Sequence, residues 1–152
     1  MSQEAHVRFG TSSTSPVRAL GVLLSCVSLA VVSLAAARGG GQPDPAGRVV
    51  AAARTHLGDG YTWGATGPDT FDCSGLTSVV WTQTGHVTRM PRTSAQQQAW
   101  AIPIPAEQAQ AGDLAFFGDP VTHVGLIAGR HSGSLVMIDA SSSQHGVVER
   151  DV

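Results

Sequence analysis

Hydrophobic and polar positions divide the chain into an apolar N-terminal run and a longer stretch of short alternating elements. Residues 1–18 are polar, with Arg8, Arg18 and a Ser/Thr-rich patch at Thr11–Ser15. Ala19–Ala37 then runs 19 residues without a charge and without a polar stripe at the helical period. It closes on Ala35-Ala36-Ala37, a small-residue pattern suited to signal peptidase. Its length just reaches the roughly 20 residues that carry a helix across a bilayer. Residues 1–37 are therefore expected to form a hydrophobic helix, either a signal that is removed or an anchor that is retained. Arg8 and Arg18 precede it while Arg38, Arg48 and Arg54 follow, so basic residues do not orient it. Residues 38–44, RGGGQPD, read as a linker.

From Pro45 the pattern changes. Ala46–Leu57 has helical spacing, with Val49, Val50 and Ala53 inward and Gly58 as the stop. Asp72–Gly85 reads as a second helix with Leu76, Val79 and Val80 on one face, and Ser94 caps a short third helix through Trp100. After Gly112 come four strand-like runs: Leu114–Phe117, His123–Ala128, Ser134–Ala140 and Gly146–Arg150. Helices first and an antiparallel meander afterwards is an α+β arrangement, here one domain over residues 45–152.

Composition narrows the classes. The chain is 42% hydrophobic and only 13% charged, so it can build a core. Its net charge of −2 gives no basic footprint, which argues against a nucleic-acid binder. Two cysteines, Cys26 and Cys73, exclude a disulfide scaffold and a Cys-rich zinc module. Cys26 lies in the apolar run; Cys73 stands alone in the folded part, as a buried inert thiol or a reactive one.

Position favours the reactive thiol. Asp72-Cys73-Ser74-Gly75 opens a helix, where unpaired backbone N–H groups and the positive dipole end lower a thiol pKa. A thiolate nucleophile needs a base, and the base needs an orienting group. Among the six histidines, His123 begins an alternating strand beside small Gly125, on the face opposite Val124, Leu126 and Ala128. Asp139 is the one carboxylate in the next, otherwise apolar strand, and a buried Asp wants a partner. His145, in the following turn, is a rival third member. Cys73, His123 and Asp139 would also suffice as a three-ligand zinc site, though their spacing is not diagnostic of one.

Five segments together resemble the NlpC family of papain-like cysteine endopeptidases of the bacterial cell wall. They are Tyr61-Thr62-Trp63-Gly64, Phe71-Asp72-Cys73-Ser74-Gly75-Leu76, Pro91-Arg92-Thr93-Ser94, Gly112-Asp113-Leu114-Ala115-Phe116-Phe117 and His123-Val124-Gly125-Leu126. The resemblance implies a papain-like domain with Cys73 at the start of a helix packed on a small antiparallel sheet. It makes Cys73 the nucleophile and His123 the base, and places Asp139 where the family commonly has a histidine. Tyr61 matches a tyrosine near the oxyanion site, with the backbone N–H at Cys73–Ser74 as a second donor. Trp63 and Arg92 are candidate groove residues, the bland alternatives being core packing and an ion pair. The implied substrate is the peptidoglycan stem peptide, cut between D-glutamate and diaminopimelate. A secreted or wall-associated monomer is expected, with no cofactor or metal, no nucleic-acid partner, and membrane contact only through residues 19–37. A non-catalytic wall-binding module of the same fold and a peptidoglycan amidase are the alternatives.

Overall fold

The computed structural model describes residues 44–152. The predicted hydrophobic helix within residues 1–37 and all of the linker before Asp44 lie outside them. Among the described residues no helix is long and apolar enough to cross a membrane.

Helix α1 spans Pro45–Arg54. Asp44 caps it by accepting from the Gly47 N–H at 2.5 Å, and Pro45 sits where its missing N–H costs nothing. Val49, Val50 and Ala53 are buried, as their spacing predicts. The helix ends at Arg54 rather than Leu57. The N–H groups of Thr55, His56 and Leu57 donate three residues back, tightening the chain. Gly58 then takes a φ of +91° and donates to the Val147 carbonyl at 3.0 Å, leaving the helix for the sheet.

Helix α2 is Cys73–Gln83 and α3 is Ser94–Trp100. The cap of α3 is Thr93, not Ser94: Thr93 and Gln96 form a reciprocal capping box, and Ser94 is the first helical residue. Gln97 of α3 is fully buried and ties α3 to α2. Its Nε2 donates to the Ser74 carbonyl at 3.0 Å and to the Pro91 carbonyl at 2.9 Å, while its Oε1 accepts from Thr77 Oγ1 at 2.8 Å.

The strands are β1 Gly60–Tyr61, β2 Thr70–Phe71, β3 Leu114–Phe117, β4 His123–His131, β5 Ser134–Ser141 and β6 Gly146–Asp151. They form one six-stranded sheet in the order β2-β1-β6-β5-β4-β3. β3 to β6 make the antiparallel meander expected from the alternating runs. The expectation of an antiparallel sheet is corrected at its other edge, where β1 and β2 pair in parallel and make the sheet mixed. Two-residue strands carry no period for a sequence to display.

The main core joins Val49, Val50 and Ala53 of α1 and Leu76 and Val80 of α2 to Val124, Leu126, Ile138, Ala140 and Val147 of the sheet. A smaller cluster of Ala115, Ile127 and Met137 lies on the other face. Strand alternation therefore sends His123, Gly125 and Asp139 away from the helix-facing positions, as the β4 pattern implies.

Candidate active site

Asp72 sets the start of α2. Its extended backbone and its Oδ1, which accepts from the Gly75 N–H at 2.6 Å, cap the helix. The cap leaves the N–H groups of Cys73 and Ser74 in the first turn without an intrahelical acceptor. Gly75 is required by packing: a Cβ there would strike the Ala65 carbonyl oxygen. The loop before β2 thus lies directly on the first turn of α2, fastened by Asp72 N–H to Ala65 O at 3.1 Å and Gly64 N–H to Asp72 Oδ2 at 2.9 Å.

Cys73 is buried and unpaired with any other cysteine among the described residues. Burial pushes its thiol pKa up. A hydrogen bond to His123, the charge of that ring and the backbone N–H of Val124 more than offset this, and the net shift is downward. His123 opens β4 and donates from Nε2 to Asp139 Oδ2 at 2.7 Å, which leaves Nδ1 as the ring nitrogen toward Cys73. Burial pulls the imidazole down, but hydrogen bonds to Asp139 and Cys73 and their charges hold it up at about 9.

Asp139 on β5 is 0% exposed. It sits against Gly125, where an added Cβ would lie 2.8 Å from Met137 Sδ and 3.3 Å from Asp139 Cβ. A side chain at position 125 would press on the methylene carbon that carries the carboxylate. Arg150 of β6 grips the carboxylate, Nε to Oδ1 and Nη2 to Oδ2, each at 3.0 Å. Burial pushes the Asp139 carboxyl up, yet the bonds to His123 and Arg150 bring it below its ordinary value.

The structure brings Cys73, His123 and Asp139 together in one chain of contacts. It leaves His145 in the β5–β6 turn, where its carbonyl accepts from Tyr61 N–H at 3.3 Å. Tyr61 lies in β1, and burial and then the charges of Cys73 and Asp72 raise its phenol pKa. That places its ring within electrostatic reach of the thiol. Ser74 is buried, its hydroxyl between Asp72 Oδ1 and Arg92 Nη1 at 3.3 and 3.1 Å. Trp63 is not core packing: it is 83% exposed on the loop after β1. Arg92 forms the ion pair that was its bland alternative, with Nη1 and Nη2 on the two oxygens of Asp72 at 3.0 and 2.7 Å. Its guanidinium therefore supports the cap of α2. Among the described residues no group of three His, Cys, Asp or Glu side chains is arranged to hold a metal ion.

Sequence reasoning passed over Arg150, Asp72 and Gln97 as parts of this arrangement. Asp72 was legible as a cap, since Asp precedes the helical run. Arg150 reads in sequence as one more polar residue of an edge-like strand, and only strand register puts it on Asp139.

A family model described as the NlpC/P60 family matches residues 58–152. A probable endopeptidase of Corynebacterium glutamicum is 40% identical over 120 residues, covering 78% of this chain and 56% of that protein. A bifunctional muramidase/DL-endopeptidase of Bacillus subtilis is 39% identical over 87 residues, covering 53% of this chain and 26% of that protein. Among solved structures, the NlpC/p60 domain of the peptidoglycan hydrolase SagA superposes with a TM-score of 0.62 at 30% identity. That match covers 70% of this chain and 88% of the solved one. The chain thus spans about half the length, or less, of the curated relatives it matches.

Proposed function

The chain belongs to the NlpC/P60 family, and from that membership we propose that it is a cysteine endopeptidase that hydrolyses peptidoglycan stem peptides at the bond between D-glutamate and diaminopimelate. The observation that carries this reading is the run of contacts from the thiol of Cys73 through the His123 ring to fully buried Asp139, with 2.7 Å between ring and carboxylate. The relative named as a DL-endopeptidase supports the choice of bond.

In this mechanism Cys73 thiolate adds to the amide carbonyl, and the carbonyl electron pair moves onto oxygen. The N–H groups of Cys73 and Ser74 in the first turn of α2, together with the Tyr61 hydroxyl, donate to that oxyanion. Losing one such donor typically costs on the order of 100-fold in rate. Collapse forms the thioester and expels the amine, which takes its proton from the His123 imidazolium. Neutral His123 then removes a proton from water, which attacks the thioester. A second oxyanion collapses to release the carboxylic acid and restore the thiolate. Asp139 holds the ring tautomer and stabilises the imidazolium. Trp63, 83% exposed on the loop after β1, offers the substrate an aromatic surface.

The reading includes a monomer at the cell wall, delivered there by residues 19–37. The deciding experiment is mass spectrometry of muropeptides incubated with the protein and with Cys73→Ala. Wild-type protein is expected to yield fragments ending at D-glutamate and fragments beginning at diaminopimelate. Cys73→Ala should yield none. Cleavage by Cys73→Ala at the wild-type rate would overturn the assignment.

A further inference from the structure

His123, Asp139 and Arg150 come from three adjacent strands, β4, β5 and β6, and lie on one face of the sheet. Register pairs Asp139 with Val148 and Met137 with Arg150, so Arg150 and Asp139 are diagonal neighbours rather than a direct pair. At that spacing a short cation would fall short; the long arginine stem spans it and delivers Nε and Nη2 to separate oxygens at 3.0 Å each. A bidentate fork fixes the plane of a carboxylate as well as its distance. Oδ2 is shared, since it also accepts from His123 Nε2 at 2.7 Å. The carboxylate is 0% exposed, whereas the Arg150 side chain is 41% exposed. Arg150 also lines the wall of a depression of about 440 Å³, together with Arg54, Arg130, His131, Glu149 and Asp151. Glu149 in that wall is already taken by Arg54, at 2.6 Å.

We propose that Arg150 is a positioning residue of the active site: it orients the Asp139 carboxylate toward His123 and offsets its charge, so setting the pH range over which the Cys73–His123 pair is ionised. The proposal deepens the hydrolase reading and rests on it. The groups around the pair are Cys73 and Asp72 at the start of α2, Arg92 bound to Asp72 and within reach of the Cys73 charge, Tyr61 on β1, Asp139 on β5 and Arg150 on β6, with the Phe117 ring of β3 at 5.9 Å from His123. Among these groups Arg150 is the permanent cation that touches Asp139. Taking a cation away raises the proton affinity of every titrating group within its reach. Without it, His123 and Cys73 both hold their protons to higher pH.

Two variants separate geometry from charge. Arg150→Met removes both; Arg150→Lys keeps the charge and loses the fork. The first readout is the pH dependence of Cys73 alkylation by iodoacetamide, which needs no substrate and therefore stands even if the proposed bond is wrong. The second is kcat and KM on muropeptide at several pH values, with far-ultraviolet circular dichroism showing that each variant is folded. In Arg150→Met the alkylation midpoint is expected to rise by about half a unit or more, and kcat to fall about tenfold with KM within about twofold. In Arg150→Lys the midpoint is expected to stay at its wild-type pH while kcat falls. A folded Arg150→Met with the wild-type midpoint would overturn the proposal, as would Arg150→Lys with wild-type kcat. Should Arg150→Met not fold, Arg150→Lys and Arg150→Gln supply the same two comparisons.

Discussion

Cys73 and His123 shift each other in opposite directions, and this has a consequence for stability that neither would have alone. His123 is held up at about 9 against an ordinary 6.5. Its contribution to stability is complete below pH 6.5 and is lost as pH rises through about 9. The Cys73 thiol is held below its ordinary 9.0, so its contribution is present above that value and is lost as pH falls through the lowered one. The two slopes oppose each other below pH 9, where the two windows overlap. Cys73→Ala leaves the histidine slope uncompensated, because Asp139 still holds the imidazole up. The melting temperature of Cys73→Ala is therefore expected to decline more steeply than that of the wild type as pH rises above 6.5, in parallel calorimetric scans. Parallel pH profiles would show that the two groups are not coupled. Asp139→Asn tests the third member. An amide of the same shape cannot stabilise the imidazolium and can select the wrong tautomer, so kcat is expected to fall by about 100-fold or more with little change in KM. Steady-state rates on muropeptide within about threefold of wild type would remove Asp139 from the mechanism.

At the level of elements, the position of the thiol depends on how three segments meet at the first turn of α2. Asp72 caps the turn, Arg92 braces Asp72, and the Ala65 loop lies against Gly75. Gln97 closes the other side by filling the carbonyls of Ser74 and Pro91 from α3. Gln97→Leu keeps an apolar stem of similar size but leaves those carbonyls and the Thr77 hydroxyl without this partner in a buried site. The Ser74 and Pro91 carbonyls keep the Thr77 and Ser78 hydroxyls as donors at 3.0 and 3.1 Å, so the loss expected is that of ordinary hydrogen bonds, about 1 kcal/mol, to be read from urea unfolding midpoints at unchanged slope. A midpoint equal to that of the wild type would mean that α3 is held on α2 by apolar contact alone.

Across the molecule the chain closes on itself. Arg54, the last residue of α1, reaches Glu149 of β6 with two bonds of 2.6 and 3.1 Å. This joins α1 to β6, but the arginine side chain is 50% exposed. Solvent and salt screen such a pair, so Glu149→Gln is expected to cost less than about 1 kcal/mol. A larger loss in a urea titration would show that the closure matters more than its exposure implies. The neighbouring residue Arg150 differs in this respect, because its partner is fully buried and removing a partner from a buried charge is costly.

Much of this was legible along the chain because periodicity and capping are local. The spacing of Val49, Val50 and Ala53 marked α1, the helix opening at Asp72-Cys73 marked the thiol, and alternation from His123 through Asp139 marked two strands. The bounds of β3 to β6 follow those runs to within a few residues. What local pattern could not carry was pairing. Two-residue β1 and β2 have no period, so their parallel pairing and the mixed sheet arise only when loop and strand edges meet. Arg92 could be placed on Asp72 only by bringing together residues 20 positions apart. Strand register in turn decided that Asp139, not His145, meets His123, and that Arg150 meets Asp139. The sequence by itself nominated Cys73, His123 and Asp139 and outlined the elements that hold them. Tertiary structure decided who touches whom, because side-chain contacts across a sheet depend on register and backbone hydrogen bonding between strands far apart in the chain.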